Sequence, residues 1–66
     1  MNLNKLKGFL VEKGYTYKMC ADVLGISVTS FSNKMNNKNR FYLEELNRLG
    51  NATGMTKEEK VDFFLG

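Results

Sequence analysis

The sequence predicts an all-α fold, a compact bundle of five short helices in one domain covering residues 1–66. Apolar residues recur at the three- and four-residue spacing of amphipathic helices. Hydroxyl residues and glycines punctuate these segments as helix starts and stops. The chain has one cysteine and no histidine, so neither a disulfide nor a common zinc ligand set is available to it. A chain of this length buries only about 60% of its unfolded surface, and packed helices must supply that core.

The first helix is predicted from Leu3 to Lys13. Its apolar positions recur at helical spacing (Leu3, Leu6 and Leu10, with Phe9 beside them). Gly14 follows in the position where glycine commonly ends a helix.

The stretch from Thr16 to Asn36 is predicted to form two short helices joined at Gly25. Thr16 and Ser27 are suited to cap the two helices, because each hydroxyl oxygen accepts a hydrogen bond from a first-turn amide. Gly25 is placed where the chain must turn sharply. The helices are expected over Tyr17–Leu24 and Val28–Asn36. Two helices joined by a short turn containing glycine form a helix-turn-helix unit.

The second of these helices has an unusual composition. Phe31 and Met35 form a narrow apolar stripe, and the other positions are Val28, Thr29, Ser30, Ser32, Asn33, Lys34 and Asn36. No acidic residue is present, and Ser, Thr and Asn are poor helix formers. This composition suggests that the exposed face is selected for something other than helix propensity.

The remaining chain predicts a polar loop and two further helices. Asn36 to Arg40 reads as the loop, in which asparagine is suited to a left-handed cap. A fourth helix begins near Leu43 and extends towards Thr53, unless Gly50 ends it early. Thr56, followed three residues later by Glu59, matches the reciprocal capping pattern of a fifth helix. In that helix Val61, Phe64 and Leu65 are expected to face inwards.

Charge divides unevenly along the chain. Residues 1–40 carry seven Lys or Arg against two acidic residues, a balance of +5, whereas residues 41–66 carry three against five, a balance of −2. The basic part contains the two-helix unit, which favours a polyanionic partner on that side. An ordinary solvated surface explains the charge equally well.

At the two-helix unit the sequence resembles the helix-turn-helix domains of the phage repressor and Cro type, the XRE family. The resemblance is carried by Cys20-Ala21, by Leu24-Gly25-Ile26 and by Phe31. The helix count, the polar loop and the final Asp62-Phe63-Phe64 segment extend it over nearly the whole chain, most closely to small stand-alone phage or Gram-positive members. It implies a fold of the lambda-repressor-like DNA-binding type.

The sequence departs from the family pattern at three places. Asn36-Asn37 replaces a frequent Asn-Gly, and Tyr42 stands where a capping Thr or Ser is common. Lys34 occupies a position that is usually aliphatic, with Met35 as the alternative buried residue. The rotation of the second motif helix, and with it the direction of Asn33, depends on which of these two residues is buried.

The resemblance implies a sequence-specific regulator of transcription that binds double-stranded DNA. The second motif helix would enter the major groove, with base contacts from Val28, Thr29, Ser32 and Asn33. The implied phosphate contacts are Tyr17, Lys18, Lys38, Asn39 and Arg40. A homodimer is expected, at least on DNA, because one helix reads too few base pairs and a two-fold operator supplies a second half-site. Its contact is expected in the fourth and fifth helices and at Phe63-Phe64. The alternative is that both phenylalanines close the core, and this is the preferred interpretation for Phe64.

A protein-interaction module is the alternative, such as a phage antirepressor that binds a repressor rather than DNA. An enzyme is not expected, because the chain lacks histidine, paired carboxylates in a plausible pocket, a glycine-rich phosphate loop and a metal ligand set. No cofactor, metal or small-molecule ligand is therefore expected. The sequence shows no signal peptide and no apolar run long enough to span a membrane. We therefore expect a cytoplasmic location and no membrane partner.

Overall fold

Five α-helices and the turns between them make up the whole molecule. The computed structural model describes all 66 residues and contains no β-strand. The helices are α1 (Leu3–Glu12), α2 (Tyr17–Leu24), α3 (Val28–Met35), α4 (Leu43–Ala52) and α5 (Lys57–Phe64). None of them combines the length and the apolar character that crossing a membrane requires. The all-α prediction and the count of five helices are confirmed.

The predicted caps explain where the helices begin. Thr16 Oγ1 accepts a hydrogen bond from the Met19 amide at 3.2 Å, and Ser27 Oγ accepts one from the Ser30 amide at 3.0 Å. The start of α5 carries both bonds of the reciprocal cap: the Glu59 amide donates to Thr56 Oγ1 at 3.1 Å, and the Thr56 amide donates to Glu59 Oε1 at 2.9 Å. These bonds satisfy amides that have no partner within the helix.

The ends of α2 and α3 depend on residues in the left-handed conformation. Gly25 has φ +68°, and the Ile26 amide donates back to the Ala21 carbonyl at 3.0 Å. The predicted left-handed asparagine is Asn37, with φ +61°. Glycine adopts such angles without steric cost, and asparagine tolerates them better than other residues with a Cβ atom. The turn at Gly25 joins α2 to α3 through residues 25–27, and the loop that contains Asn37 joins α3 to α4 through residues 36–42.

Thirteen buried apolar residues form one core. Leu6, Ala21, Phe31 and Leu49 are completely buried, so four of the five helices supply a residue with no exposed surface. The remaining members are Phe9, Leu10, Cys20, Leu24, Met35, Phe41, Leu46, Met55 and Phe63. Within this core α2 packs against α3 and α4, and α1 packs against α5.

Gly50 does not end α4, which continues to Ala52. The glycine is buried, and a Cβ atom at this position would lie 2.7 Å from Cε of Lys60. The Lys60 side chain crosses α4 at this point and donates from Nζ to Asn51 Oδ1 at 2.7 Å. Gly50 therefore leaves room for the Lys60 side chain to lie against α4.

The predicted inward face of α5 is wrong at Val61 and Leu65, whereas Phe64 packs against the core as predicted. Val61 and Leu65 are 50% and 79% exposed, Phe64 is half-buried, and Phe63 is the buried residue. The Phe63 ring lies 5.5 Å from the ring of Phe9, centroid to centroid. Packing against this ring of α1 fixes the rotation of α5 and turns Val61 and Leu65 to solvent.

Candidate nucleic-acid interface

The rotation of α3 is fixed by three buried residues on one side. Phe31, Lys34 and Met35 are all at most 8% exposed. Successive helical residues are rotated by about 100°, so the side opposite these three carries Thr29 and Asn33. Lys34 and Met35 are thus both buried, and the direction of Asn33 is settled as outward.

The outward side of α3 presents small uncharged groups. Thr29 is exposed on this side, whereas Ser32 and Asn33 are half-buried. Val28 lies on the same side of the helix as Met35 but is exposed, at the amino end of α3. Ser32 Oγ accepts a hydrogen bond from Asn36 Nδ2 at 3.4 Å. The Thr29 hydroxyl and the Asn33 side-chain amide have no partner within the protein, so their donors and acceptors are free for a ligand.

Lys34 enters the space between α3 and α4 and ends in a buried ion pair. Its Nζ donates to Glu45 Oε1 at 3.0 Å and to the carbonyl oxygen of Arg40 at 2.8 Å. The side chains of Lys34 and Glu45 are 9% and 17% exposed. The ammonium also lies 5.1 Å from the ring centroid of Tyr42, within cation–π range. One side chain thus ties α3, the following loop and α4 together.

Glu45 is held in its ionised form. Partial desolvation raises its pKa, but four effects together outweigh it: a hydrogen bond from the Tyr42 amide, the hydrogen bond and the positive charge of Lys34, and the positive charge of Arg48. The pKa of Glu45 therefore lies below its ordinary value. The Tyr42 amide donates to Glu45 Oε1 at 2.9 Å, so the glutamate supplies a cap for α4 where a Thr or Ser was lacking.

The backbone of α3 brings the loop candidates next to Asn33. The carbonyl oxygen of Asn33 accepts hydrogen bonds from the amides of Lys38, at 2.8 Å, and of Asn39, at 3.3 Å. The Arg40 carbonyl is held by Lys34, as described above. The side chains of Lys38, Asn39 and Arg40 remain exposed. The candidates for base contact and for phosphate contact beyond α3 are therefore adjacent.

Tyr17 and Lys18, at the amino end of α2, have different surroundings. The Tyr17 ring packs edge-on against Phe31 with 5.2 Å between the centroids, which places this half-buried residue beside α3. Lys18 is exposed and pairs with Asp22 one turn along α2, at 3.4 Å. Exposed pairs of this kind are weak, and a phosphate could replace the carboxylate.

Ion pairing reduces the positive charge that this surface can offer. The sequence balance of +5 counts Lys34, which is buried with Glu45, and Lys5, which pairs with Asp62 of α5 at 3.0 Å. Near α3, Lys38 and Arg40 are the exposed cations without an acidic partner. The unpaired positive charge next to α3 therefore lies in the loop that follows this helix.

Sequence reasoning missed the structural role of Lys34 and Glu45. Lys34 was recognised only as a departure from an aliphatic pattern, and nothing local indicates a partner 11 residues further on. Glu45 carried a usable signal, because it is the third residue of α4, where an acidic side chain often accepts from the capping amide.

No family model, curated protein or solved structure matches this chain.

Proposed function

We propose that this protein is a sequence-specific regulator that binds double-stranded DNA, with α3 in the major groove. The observation that carries the proposal is the division of α3 into two sides. One side is fixed in the core by Phe31, Lys34 and Met35, and the other presents groups that hydrogen-bond but carry no charge. The resemblance to phage repressor and Cro domains supports the same function and a lambda-repressor-like fold.

The chemistry of the outward side suits base edges. An asparagine amide offers a donor and an acceptor to adenine, so Asn33 is the proposed bidentate contact. Thr29 donates or accepts at a neighbouring position, Ser32 does so at the edge of the same side, and the exposed Val28 side chain packs on a thymine methyl group. The absence of carboxylates on α3 avoids repulsion by the phosphates.

Two groups of residues would hold the DNA backbone on either side of α3. Lys38, Asn39 and Arg40 lie after the helix, fixed to it through the Asn33 carbonyl and the Lys34 side chain. Tyr17 and Lys18 lie at the amino end of α2, whose unpaired first-turn amides favour phosphate. Contacts of this kind position the protein and do not read sequence.

Two half-sites are needed for useful specificity, which favours a homodimer on a two-fold operator. Phe63 is in the core, so the proposed contact moves away from it. Val61 of α5 and Leu65, which directly follows this helix, lie one turn apart and are exposed, and we place the dimer contact on this side of α5.

The test of α3 compares Asn33→Ala with Asn47→Ala, an exposed asparagine of α4, as the control. An operator is first selected from random double-stranded DNA, and affinity is then measured by fluorescence anisotropy. Asn33→Ala should lose roughly 1–3 kcal/mol of binding free energy and relax specificity at one base pair. Asn47→Ala should bind like the wild type. An equal loss on every sequence would make Asn33 a backbone contact.

The test of the loop uses the salt dependence of binding. Arg40→Ala should weaken binding to all sequences and reduce the slope of log K against log salt by about 1, because one phosphate contact is lost. Lys57→Ala removes an exposed cation of α5 without an acidic partner and should leave the slope unchanged. A slope unaltered by Arg40→Ala would remove Arg40 from the backbone contacts.

The concentration of free cations in one loop also fits the alternative, a module that binds another protein such as a repressor. The same titration separates the two functions. Absence of salt-sensitive binding to any selected DNA at micromolar protein would favour the protein-interaction function.

A further inference from the structure

A groove of about 630 Å³ lies between the start of α1, the loop after α3 and the end of α5. Its apolar lining comes from all three regions and from α4: Met1, Leu3, Phe41, Leu46 and Phe64. Phe41 and Leu46 belong to the core, whereas Leu3 and Phe64 are half-buried and Met1 is largely exposed. The groove therefore has an apolar floor that remains accessible to a ligand.

The polar lining of this groove is cationic. Lys38 and Arg40 line it and are exposed without an acidic partner, whereas the ammonium of Lys34 is already neutralised by Glu45. No acidic residue lines the groove. An occupant must therefore combine an apolar group with negative charge.

We propose that the groove binds an acidic peptide segment of another protein, with an apolar side chain on the floor and carboxylates at Lys38 and Arg40. Charge complementarity selects the carboxylates, because both cations lack an internal partner. Asn37 and Asn39 also line the groove and offer amide donors and acceptors to a peptide backbone. A simple fatty acid would leave these amides without hydrogen-bond partners, and a phosphodiester backbone has no apolar group to place on the floor.

Peptide binding at the groove does not depend on the proposed DNA binding. The regulatory consequence of peptide binding does rest on the proposed DNA binding. A peptide in the groove would cover the two cations that are proposed to hold the DNA backbone beyond α3. The partner segment would thereby release the protein from DNA.

The experiment uses the whole chain and three fluorescein-labelled ten-residue peptides, without DNA. The first has a central Leu-Phe pair flanked by two aspartates on each side. The second replaces the aspartates by asparagines, and the third replaces Leu-Phe by Ser-Ser. Anisotropy should show binding of the first peptide, and at least about tenfold weaker binding of each of the others, because both the charge and the apolar group contribute.

The protein variants use a matched charge reversal. Lys38→Glu combined with Arg40→Glu should weaken binding of the first peptide at least about tenfold. Two reversals at sites outside the groove, Lys13→Glu combined with Lys57→Glu, should change it less than about twofold once circular dichroism has shown that both proteins are folded. Backbone amide shifts in NMR spectra should move at Leu3, Phe41 and Phe64.

Three results would overturn the proposal. Equal binding of the Ser-Ser peptide would show attraction by charge alone. Amide shifts confined to residues outside the groove would place the peptide elsewhere. Absence of binding at millimolar peptide would leave the groove without this occupant, whether or not the protein binds DNA.

Discussion

Replacing Lys34 by methionine tests whether the buried ion pair stabilises the domain. The substitution keeps an unbranched side chain of similar length but removes the donor to Glu45 and to the Arg40 carbonyl. Two hydrogen bonds from a charged donor contribute at most about 3–6 kcal/mol. In the variant, Glu45 still has access to water and the methionine side chain is buried. These two effects offset more than half of the hydrogen-bond contribution. We expect a loss of about 2 kcal/mol, or a Tm lower by roughly 8–16 °C for a domain of this size.

The assay is urea unfolding followed by circular dichroism at pH 7, with a double-mutant cycle. Glu45→Gln alone should also destabilise, because it leaves a buried ammonium without its carboxylate. The double variant should cost about 1–2 kcal/mol less than the sum of the single variants, because the two residues act as a pair. Lys18→Met removes a lysine from an exposed pair and should change stability by less than about 0.5 kcal/mol.

The pH dependence has a defined sign. The pKa of Glu45 is lower in the folded protein than in the unfolded chain, so its ionised form stabilises the fold. That contribution is complete above about pH 4.3 and is lost as pH falls through the lower folded-state value. Without Lys34 the pKa of Glu45 rises, and stability should fall less steeply with acid. A Lys34→Met protein as stable as wild type, with no coupling to Glu45, would refute the reasoning.

Three further tests of the packing are made on the free protein. Phe63→Ala should lower the free energy of unfolding by about 3–5 kcal/mol and leave much of the chain unfolded. Val61→Ala should change it by less than about 0.5 kcal/mol. Similar effects at both sites would contradict the rotation of α5. Gly25→Ala should cost about 1–2 kcal/mol in urea unfolding, because alanine resists φ +68° although the site has open space; a neutral substitution would show that the turn relaxes. Cys20 should react with an aromatic disulfide reagent only as fast as the protein unfolds, because burial raises the pKa of its thiol and excludes the reagent. Fast labelling of the native protein would contradict this expectation.

The helix boundaries were predictable because their signals are local. Thr16, Ser27 and Thr56 each cap a helix through an amide three residues away, and Gly25 meets a backbone requirement at its own position. The bounds of α2 agree with the prediction, and α1 and α3 each end one residue earlier than expected. Such features need no knowledge of the rest of the chain.

The rotation of α5 was not predictable in the same way. Val61, Phe63, Phe64 and Leu65 are all apolar, so the sequence leaves several inward faces open. The choice is made by Phe9, 54 positions before Phe63 in the chain. The glycine at position 50 of α4 is a similar case, because the Lys60 side chain occupies the space that a Cβ atom would need. Contacts between distant segments decide both cases.

The candidate site was predictable as a set of exposed residue types but not as a geometry. The sequence indicated Thr29 and Asn33 by their chemistry, and their outward direction depended on the burial of both Lys34 and Met35. A lysine is rarely buried without a partner, and Glu45 could not be paired with it from sequence. The importance of Lys38 and Arg40 followed only when Lys18 and Lys34, the other lysines near α3, were found in ion pairs.

The division of α3 into two sides also bears on how this domain can diverge. Val28, Thr29 and Asn33 do not belong to the core and their side chains make no hydrogen bond within the protein, so many combinations there should cost the fold little stability. Phe31, Lys34 and Met35 cannot vary so freely. A lineage of such proteins can therefore exchange what the third helix presents over short mutational distances, while the framework that holds the helix stays constant.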